Sequence, residues 1–153
     1  MIKIAKFGGS SLADANQYRK VRDIIKSDEG RRFIVVSAAG KRFKEDHKIT
    51  DLLFLCNAHI RYGVPCDSIL DILEERLLEI AKDLDLKINL YDEIIEFRNQ
   101  ITKLSLDELV SRGEYFSAKL LADYLDYTFV DAKDVIFFRY DGSFDEEKSR
   151  VFL

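Results

Sequence analysis

Ile2-Lys3-Ile4-Ala5-Lys6-Phe7-Gly8-Gly9-Ser10-Ser11 is the stretch on which the fold turns. Ile2 to Phe7 is short, apolar-rich and stops at a glycine pair, the pattern of a buried strand closed by a turn. Ser11 and Asp14 then stand in the S-x-x-D spacing of a helix start, with Ser11 the expected N-cap. Tyr18, Val21, Ile24 and Ile25 follow at helical spacing until Asp28-Glu29-Gly30 stops the run. Phe33 to Val36, β-branched and aromatic, predicts a second strand that ends on the small residues Ser37-Ala38-Ala39-Gly40. Strand, helix and strand within about 35 residues is the size of a βαβ unit, so a parallel strand pair is expected.

Working outward, Lys41 to Lys48 is charged and poor in apolar residues. A solvated, mobile loop is the expectation there, with a lid over a site as the alternative. Successive helical faces follow, each near the 3.6 period. The first is Ile49, Leu52, Leu53, Cys56 and Ile60; the second is Ile69, Ile72, Leu73, Leu77, Ile80 and Leu84. The third is Leu90, Ile94, Phe97, Ile101 and Leu104; the fourth is Leu106, Leu109, Val110, Phe116, Leu120, Leu121 and Tyr124. Pro65, the one proline, stands with Gly63 between the first two and should separate them. Thr128 to Val130 reads as a third strand and Val135 to Phe138 as a fourth, before the turn Asp141-Gly142. The last residues, Val151-Phe152-Leu153, read as the beginning of another strand, so the sheet is expected to be unfinished.

Bulk composition narrows the function classes. The chain has 153 residues, 47% of them hydrophobic and 34% charged, which is globular rather than disordered. A formal net charge of −4 lacks the basic excess that nucleic acid requires. No apolar run approaches the roughly 18 to 20 residues of a membrane span. Met1-Ile2-Lys3-Ile4 enters a strand directly, without a signal-peptide pattern. Cys56 and Cys66 fit no zinc or redox spacing, and together with the missing signal they suggest reduced thiols and a cytoplasmic protein. His47 and His59 stand apart from any cysteine pair and are expected to be ordinary loop and helix residues, with no metal site.

Some segments carry chemistry. At Lys6-Phe7-Gly8-Gly9-Ser10-Ser11 a strand end, two glycines and a helix start would expose N–H groups to an anion, with Lys6 adding a point charge suited to phosphate. The spacing is neither a Walker A loop nor G-x-G-x-x-G, and a plain βα turn fits these residues too. Ser37-Ala38-Ala39-Gly40 would lie on the same sheet edge, where ligands of open α/β sheets bind, although tight packing after a strand explains small residues equally. Thr50, in Ile49-Thr50-Asp51-Leu52-Leu53, is placed as an N-cap or as a hydroxyl offered to a bound carboxylate. In Ser111-Arg112-Gly113-Glu114, a glycine inside a helical pattern costs about 1 kcal/mol relative to alanine. Close approach of a ligand or of a packed neighbour would explain it, and Glu114 could pair with an ammonium group.

Together, and in this order, Lys6 to Ser11, Val35 to Gly40, Ile49 to Leu53 and Ser111 to Glu114 resemble the motifs of the aspartate kinases, of the amino acid kinase family: K-F-G-G-[ST]-S, V-V-S-A, [IV]-T-[DN]-L-L and S-x-G-E. The resemblance implies an α/β fold, a three-layer α-β-α sandwich on a mainly parallel sheet. This chain would be the N-terminal half, with a multi-helix insertion, and residues 1–153 would form the N-terminal part of the catalytic domain. The implied reaction transfers the γ-phosphoryl of ATP to the β-carboxylate of L-aspartate, giving 4-phospho-L-aspartate, the first step of lysine, threonine and methionine biosynthesis. By the same resemblance Lys6 would be catalytic and, with Phe7, Gly8, Gly9 and Ser10, would hold the ATP phosphates. Ser37, Thr50 and Glu114 would bind aspartate, and Mg²⁺ would come with the nucleotide. The partners implied are small molecules, with neither nucleic acid nor membrane, and the full-length protein would be a homo-oligomer. Ala39 stands where the family more often has methionine. The family's nucleotide-base site and regulatory domains lie beyond Leu153, so this polypeptide alone is expected to lack turnover. Another carboxylate kinase of the same fold, acting on glutamate or acetylglutamate, is the alternative. A non-enzymatic helical scaffold is a second, which leaves Lys6 to Gly9 and Gly113-Glu114 unexplained.

Overall fold

The computed structural model describes residues 1–152. β1 (Lys3–Phe7) and β2 (Arg31–Val36) pair in parallel, with Lys6 opposite Val35 and Phe7 opposite Val36. α1 (Ala15–Lys26) connects them, so the expected βαβ unit forms. Strand alternation sends Ala5, Phe7, Ile34 and Val36 toward the core and leaves Ile4, Lys6, Phe33 and Val35 on an exposed face. Tyr18 on α1 is fully buried and its hydroxyl donates to the Ser117 carbonyl at 3.4 Å. Burial pushes this phenol well above its ordinary pKa.

The first helix starts later than the S-x-x-D spacing suggests. Gly9–Leu12 form a 3₁₀ turn, and α1 is capped by Asp14, whose Oδ1 accepts from Gln17 N–H at 3.0 Å. Ser11 sits inside the turn and its amide donates to the Gly8 carbonyl at 3.0 Å. Leu12, at the end of that turn, is completely buried before the helix begins.

The expected helical faces become α2 (Ile49–Arg61), α3 (Asp67–Asp83), α4 (Leu90–Gln100), extended by a 3₁₀ turn at Ile101–Lys103, and α5 (Leu106–Leu125). Between α2 and α3, Gly63 adopts a φ of 67° next to Val64 and Pro65, which ends the first of them. Lys48, not Thr50, is the N-cap of α2, and its side chain makes no capping bond. Thr50 therefore falls within the first turn, which frees its hydroxyl from capping. α5 opens on a capping box in which Glu108 accepts from Ser105 N–H at 2.8 Å. The core runs through all of these helices, including Leu53, Leu73, Leu77, Ile94, Leu109, Phe116 and Leu120. Ile72 and Leu106 are exposed instead of facing inward, and the buried stripe of α3 contains Arg76.

The strands expected over residues 128–130 and 135–138 do not form. α6 (Ala132–Val135) is one helical turn capped by Asp131, and Phe138 makes only an isolated antiparallel bridge to Phe144. α7 (Glu146–Phe152) places Val151 and Phe152 in a helix rather than a strand, and Leu153 lies outside the described residues. β-branched and aromatic residues become strand only where a sheet edge receives them. Here the only sheet among the described residues is β1–β2. Among the described residues, no helix is long and apolar enough to cross a membrane.

Candidate active site

Because β1 and β2 run parallel, their C-terminal ends share one edge, where ligands of α/β sheets bind. Backbone hydrogen bonds join the end of β1 and the turn after it to the chain beyond β2. Ser37 N–H donates to the Phe7 carbonyl at 3.0 Å and Gly40 N–H to the Gly9 carbonyl at 2.7 Å. A Cβ on Gly9 would lie 2.6 Å from the Ala38 carbonyl oxygen, and one on Gly40 would lie 2.7 Å from the Gly9 carbonyl carbon. Neither Gly8 nor Gly9 has a positive φ, so the second glycine serves close approach of two turns rather than an unusual dihedral. A Cβ on Gly8 would meet nothing within 4 Å, leaving its backbone open to a ligand.

Lys6 and Ser37 lie on the same face of the sheet, and Lys6 Nζ donates to Ser37 Oγ at 3.5 Å. Ile49 N–H donates to the Ala39 carbonyl at 3.1 Å, which sets the N-terminus of α2 beside the same turn. From the other side comes α5. A Cβ on Gly113 would be 2.7 Å from Ala38 Cβ and 3.3 Å from Ile49 Cγ2, so this glycine lets α5 press against both. Its neighbour Glu114 is thereby brought to the edge, half-buried and with no side-chain hydrogen bond among the described residues. These pieces enclose a cleft of about 480 Å³ lined by Gly9, Ser10, Ser37, Lys41, Thr50 and Glu114, among others.

The sequence-derived residues are thus mostly assembled. Gly9, Ser10, Ser37, Thr50 and Glu114 line one cleft, and Lys6 joins it through Ser37. Phe7 is different: its side chain is buried in the core, so it offers the site only backbone. Arg112 turns away, pairing with Asp131 at 3.8 Å and lying 4.5 Å over the Tyr115 ring. Lys41 and Lys48, which sequence reasoning passed over as loop charges, also line the cleft. With Lys6 they set cations around the single carboxylate of Glu114. That balance suits an anion together with a smaller group bearing an ammonium.

The segment expected to be a mobile loop is pinned. Asp46 is 7% exposed and accepts from the Arg42 amide at 2.9 Å and the Arg42 Nε at 2.8 Å. These bonds, led by the Arg42 side chain, hold its carboxyl well below the usual carboxylate range. Arg76 stands 3.5 Å from the same carboxylate. Its position within the apolar stripe Leu73, Leu77 and Ile80 was the signal available in the sequence, since a charge there must find partners.

Elsewhere, His59 Nδ1 is 2.9 Å from the Pro65 carbonyl. No cluster of three or more His, Cys, Asp or Glu among the described residues is placed to hold a metal. Cys56 and Cys66 are free and buried. Burial, reinforced by the neighbouring Cys66 thiol, pushes Cys56 up to about 12.

Comparison with known proteins places this geometry. The model of the amino acid kinase family matches residues 1–152. Aspartokinase 3 of Bacillus subtilis is 36% identical over 141 residues, covering 88% of this chain and 31% of the relative. The crystal structure of Clostridium acetobutylicum aspartate kinase superposes with a TM-score of 0.93 at 46% identity, covering 97% of this chain and 34% of that one. E. coli aspartokinase III, solved with aspartate and ADP, superposes with a TM-score of 0.76 at 25% identity, covering 99% of this chain and 36% of that one. The chain therefore spans about a third of the length of the relatives it matches. A family match along all the described residues, together with the superposed fold, establishes that the chain belongs to the amino acid kinase family.

Proposed function

We propose that this chain is the aspartate and phosphoryl half of an aspartate kinase catalytic domain, with the nucleotide-base half and regulatory domains supplied by further sequence. The observation that carries the reading is the convergence of Ser37, Thr50 and Glu114 on the cleft that also exposes Gly9 and Ser10, with Lys6 reaching Ser37. In this reading the Glu114 carboxylate receives the ammonium of L-aspartate. Thr50 meets a carboxylate of the substrate at the N-terminus of α2, where the helix dipole favours negative charge. Ser37 lines the same pocket. The ATP phosphates lie over Gly8, Gly9 and Ser10, whose backbone is open to them.

The reaction is a direct displacement. A β-carboxylate oxygen of aspartate attacks the γ-phosphorus, the bond to the β,γ-bridging oxygen breaks, and ADP leaves. The transition state is loose, so the protein positions the reactants and neutralises charge rather than forming a covalent intermediate. Lys6 supplies a cation to the transferring oxygens. Mg²⁺ comes with the nucleotide. The same reading makes the full-length protein a cytoplasmic homo-oligomer.

Titration of the 153-residue chain tests this. L-Aspartate should bind in preference to L-glutamate and N-acetyl-L-glutamate, Glu114→Gln should abolish that binding, and Lys6→Ala should weaken tripolyphosphate binding. With ATP and aspartate the chain alone should accumulate no aspartyl phosphate, and its accumulation would overturn the half-site assignment. Preference for glutamate or acetylglutamate would move the protein to the sister activity. Unchanged nucleotide affinity in Lys6→Ala would favour a non-enzymatic helical domain.

A further inference from the structure

Arg76 lies in the middle of α3, outside the cleft, and is 3% exposed. Its guanidinium gathers three carbonyls that are far apart in sequence. One terminal nitrogen donates to His47 at 2.7 Å; the other donates to Ala13 at 2.9 Å and also to Gly40. Those carbonyls close the three segments that shape the cleft. Ala13 ends the turn after β1, Gly40 ends the turn after β2, and His47 leads into α2. Asp46, beside His47, stands 3.5 Å from the guanidinium and is held by Arg42, which also reaches Glu79 of α3 at 3.1 Å.

We infer that Arg76 is a positioning residue for the cleft: it fixes the spacing of the phosphate-facing turn, the Ser37–Gly40 turn and the N-terminus of α2, and so couples the helical insertion to ligand binding. An ordinary core residue at this point of α3 would pack against Leu73 and Leu77 but would take this donor from the buried Ala13 and Gly40 carbonyls and from the partly buried His47 carbonyl. A lysine would keep the charge without the planar geometry. The role in ligand binding rests on the proposed function above, whereas the role in spacing the turns does not.

The test uses the 153-residue chain, its Arg76→Lys and Arg76→Ala variants, and two readouts. The first is hydrogen exchange at the Gly40 and Ile49 amides, which bridge the turns, compared with the Leu120 and Leu121 amides in α5. Arg76→Lys should speed exchange at Gly40 and Ile49 about tenfold or more while α5 keeps its protection, because bonds to a charged donor are lost only at the cleft edge. The second is affinity for tripolyphosphate and L-aspartate, which should fall about tenfold for both ligands in Arg76→Lys. Millimolar ethylguanidinium should restore part of it in Arg76→Ala. Unchanged exchange at Gly40 and Ile49 would overturn the inference, and so would uniform loss of protection through α5, which would make Arg76 a general fold residue. If the unsubstituted chain binds neither ligand, the proposed function fails while the exchange result still decides the role of Arg76.

Discussion

In the helical bundle, Leu53, Leu109, Phe116 and Leu120 are sealed among other apolar side chains. Phe116 packs edge-on against Phe97, with ring centroids 5.8 Å apart. At the cleft edge the contacts are backbone on backbone, between Gly9 and Gly40 and between Ala39 and Ile49, with a buried arginine behind them. The bundle draws its stability from apolar area and is indifferent to which residue supplies it, so long as volume is conserved. The cleft edge depends on position, because an added methyl group or a lost donor displaces polar groups that nothing else can satisfy. Volume should therefore break the first region, and geometry the second.

Phe116→Ala should have the largest effect. Truncating a buried phenylalanine costs about 3–5 kcal/mol, seen as a lowered thermal midpoint. If the bundle and cleft are as separable as their contacts imply, aspartate affinity measured well below that midpoint should change little. Gly113→Ala tests the junction between the two regions. The added Cβ gains about 1 kcal/mol of helix propensity, but Ala38 Cβ and Ile49 Cγ2 at 2.7 and 3.3 Å must yield. Overpacking of that kind costs about 1–3 kcal/mol. A small loss of stability with a large loss of aspartate affinity is expected, and calorimetry on one sample reports both.

Acid should act on the cleft edge first. Asp46 faces Arg42 and Arg76, with Glu79 and Asp14 also in this charge network. Its carboxyl is held below the ordinary value of about 3.9 in the folded chain, so the unfolded chain binds the proton more readily and stability rises with pH. That contribution is complete above about pH 5 and is lost as pH falls through the lowered folded value. The thermal midpoint of Asp46→Asn should therefore lie below that of the parent at pH 7 and approach it toward pH 3. Ser105→Ala, which removes one half of the α5 capping box, should cost about 1 kcal/mol without altering ligand affinity. The smallest change is expected at Glu114, because its side chain makes no hydrogen bond among the described residues. Glu114→Gln should leave stability within about 0.5 kcal/mol while removing aspartate binding, which is the sharpest separation of fold from site.

The βαβ opening and the helical faces were legible because period and punctuation are local properties. The apolar run over Ile2 to Phe7, the stop at Gly8-Gly9 and the repeats through Leu121 each need only a few neighbouring residues. The candidate site was legible as motifs, and the structure gathers Ser37, Thr50 and Glu114 onto one cleft. Other features were out of reach for identifiable reasons. The segments around Thr128 and Val135 carry strand-like residues, but strand formation is decided by a partner edge that local sequence does not contain. Ser11 and Thr50 both suit an N-cap, yet complete burial of Leu12 and the bond from Ile49 to Ala39 set where each helix begins. Gly9 and Gly113 were visible as glycines, but which backbone or methyl group each admits is a distance across the fold. Arg76 shows the divide most plainly. The sequence by itself determined that a charge would lie in the apolar stripe of α3; only the tertiary structure brought the Ala13, Gly40 and His47 carbonyls to it, because a hydrogen bond between residues dozens of positions apart exists only once the chain has closed around it.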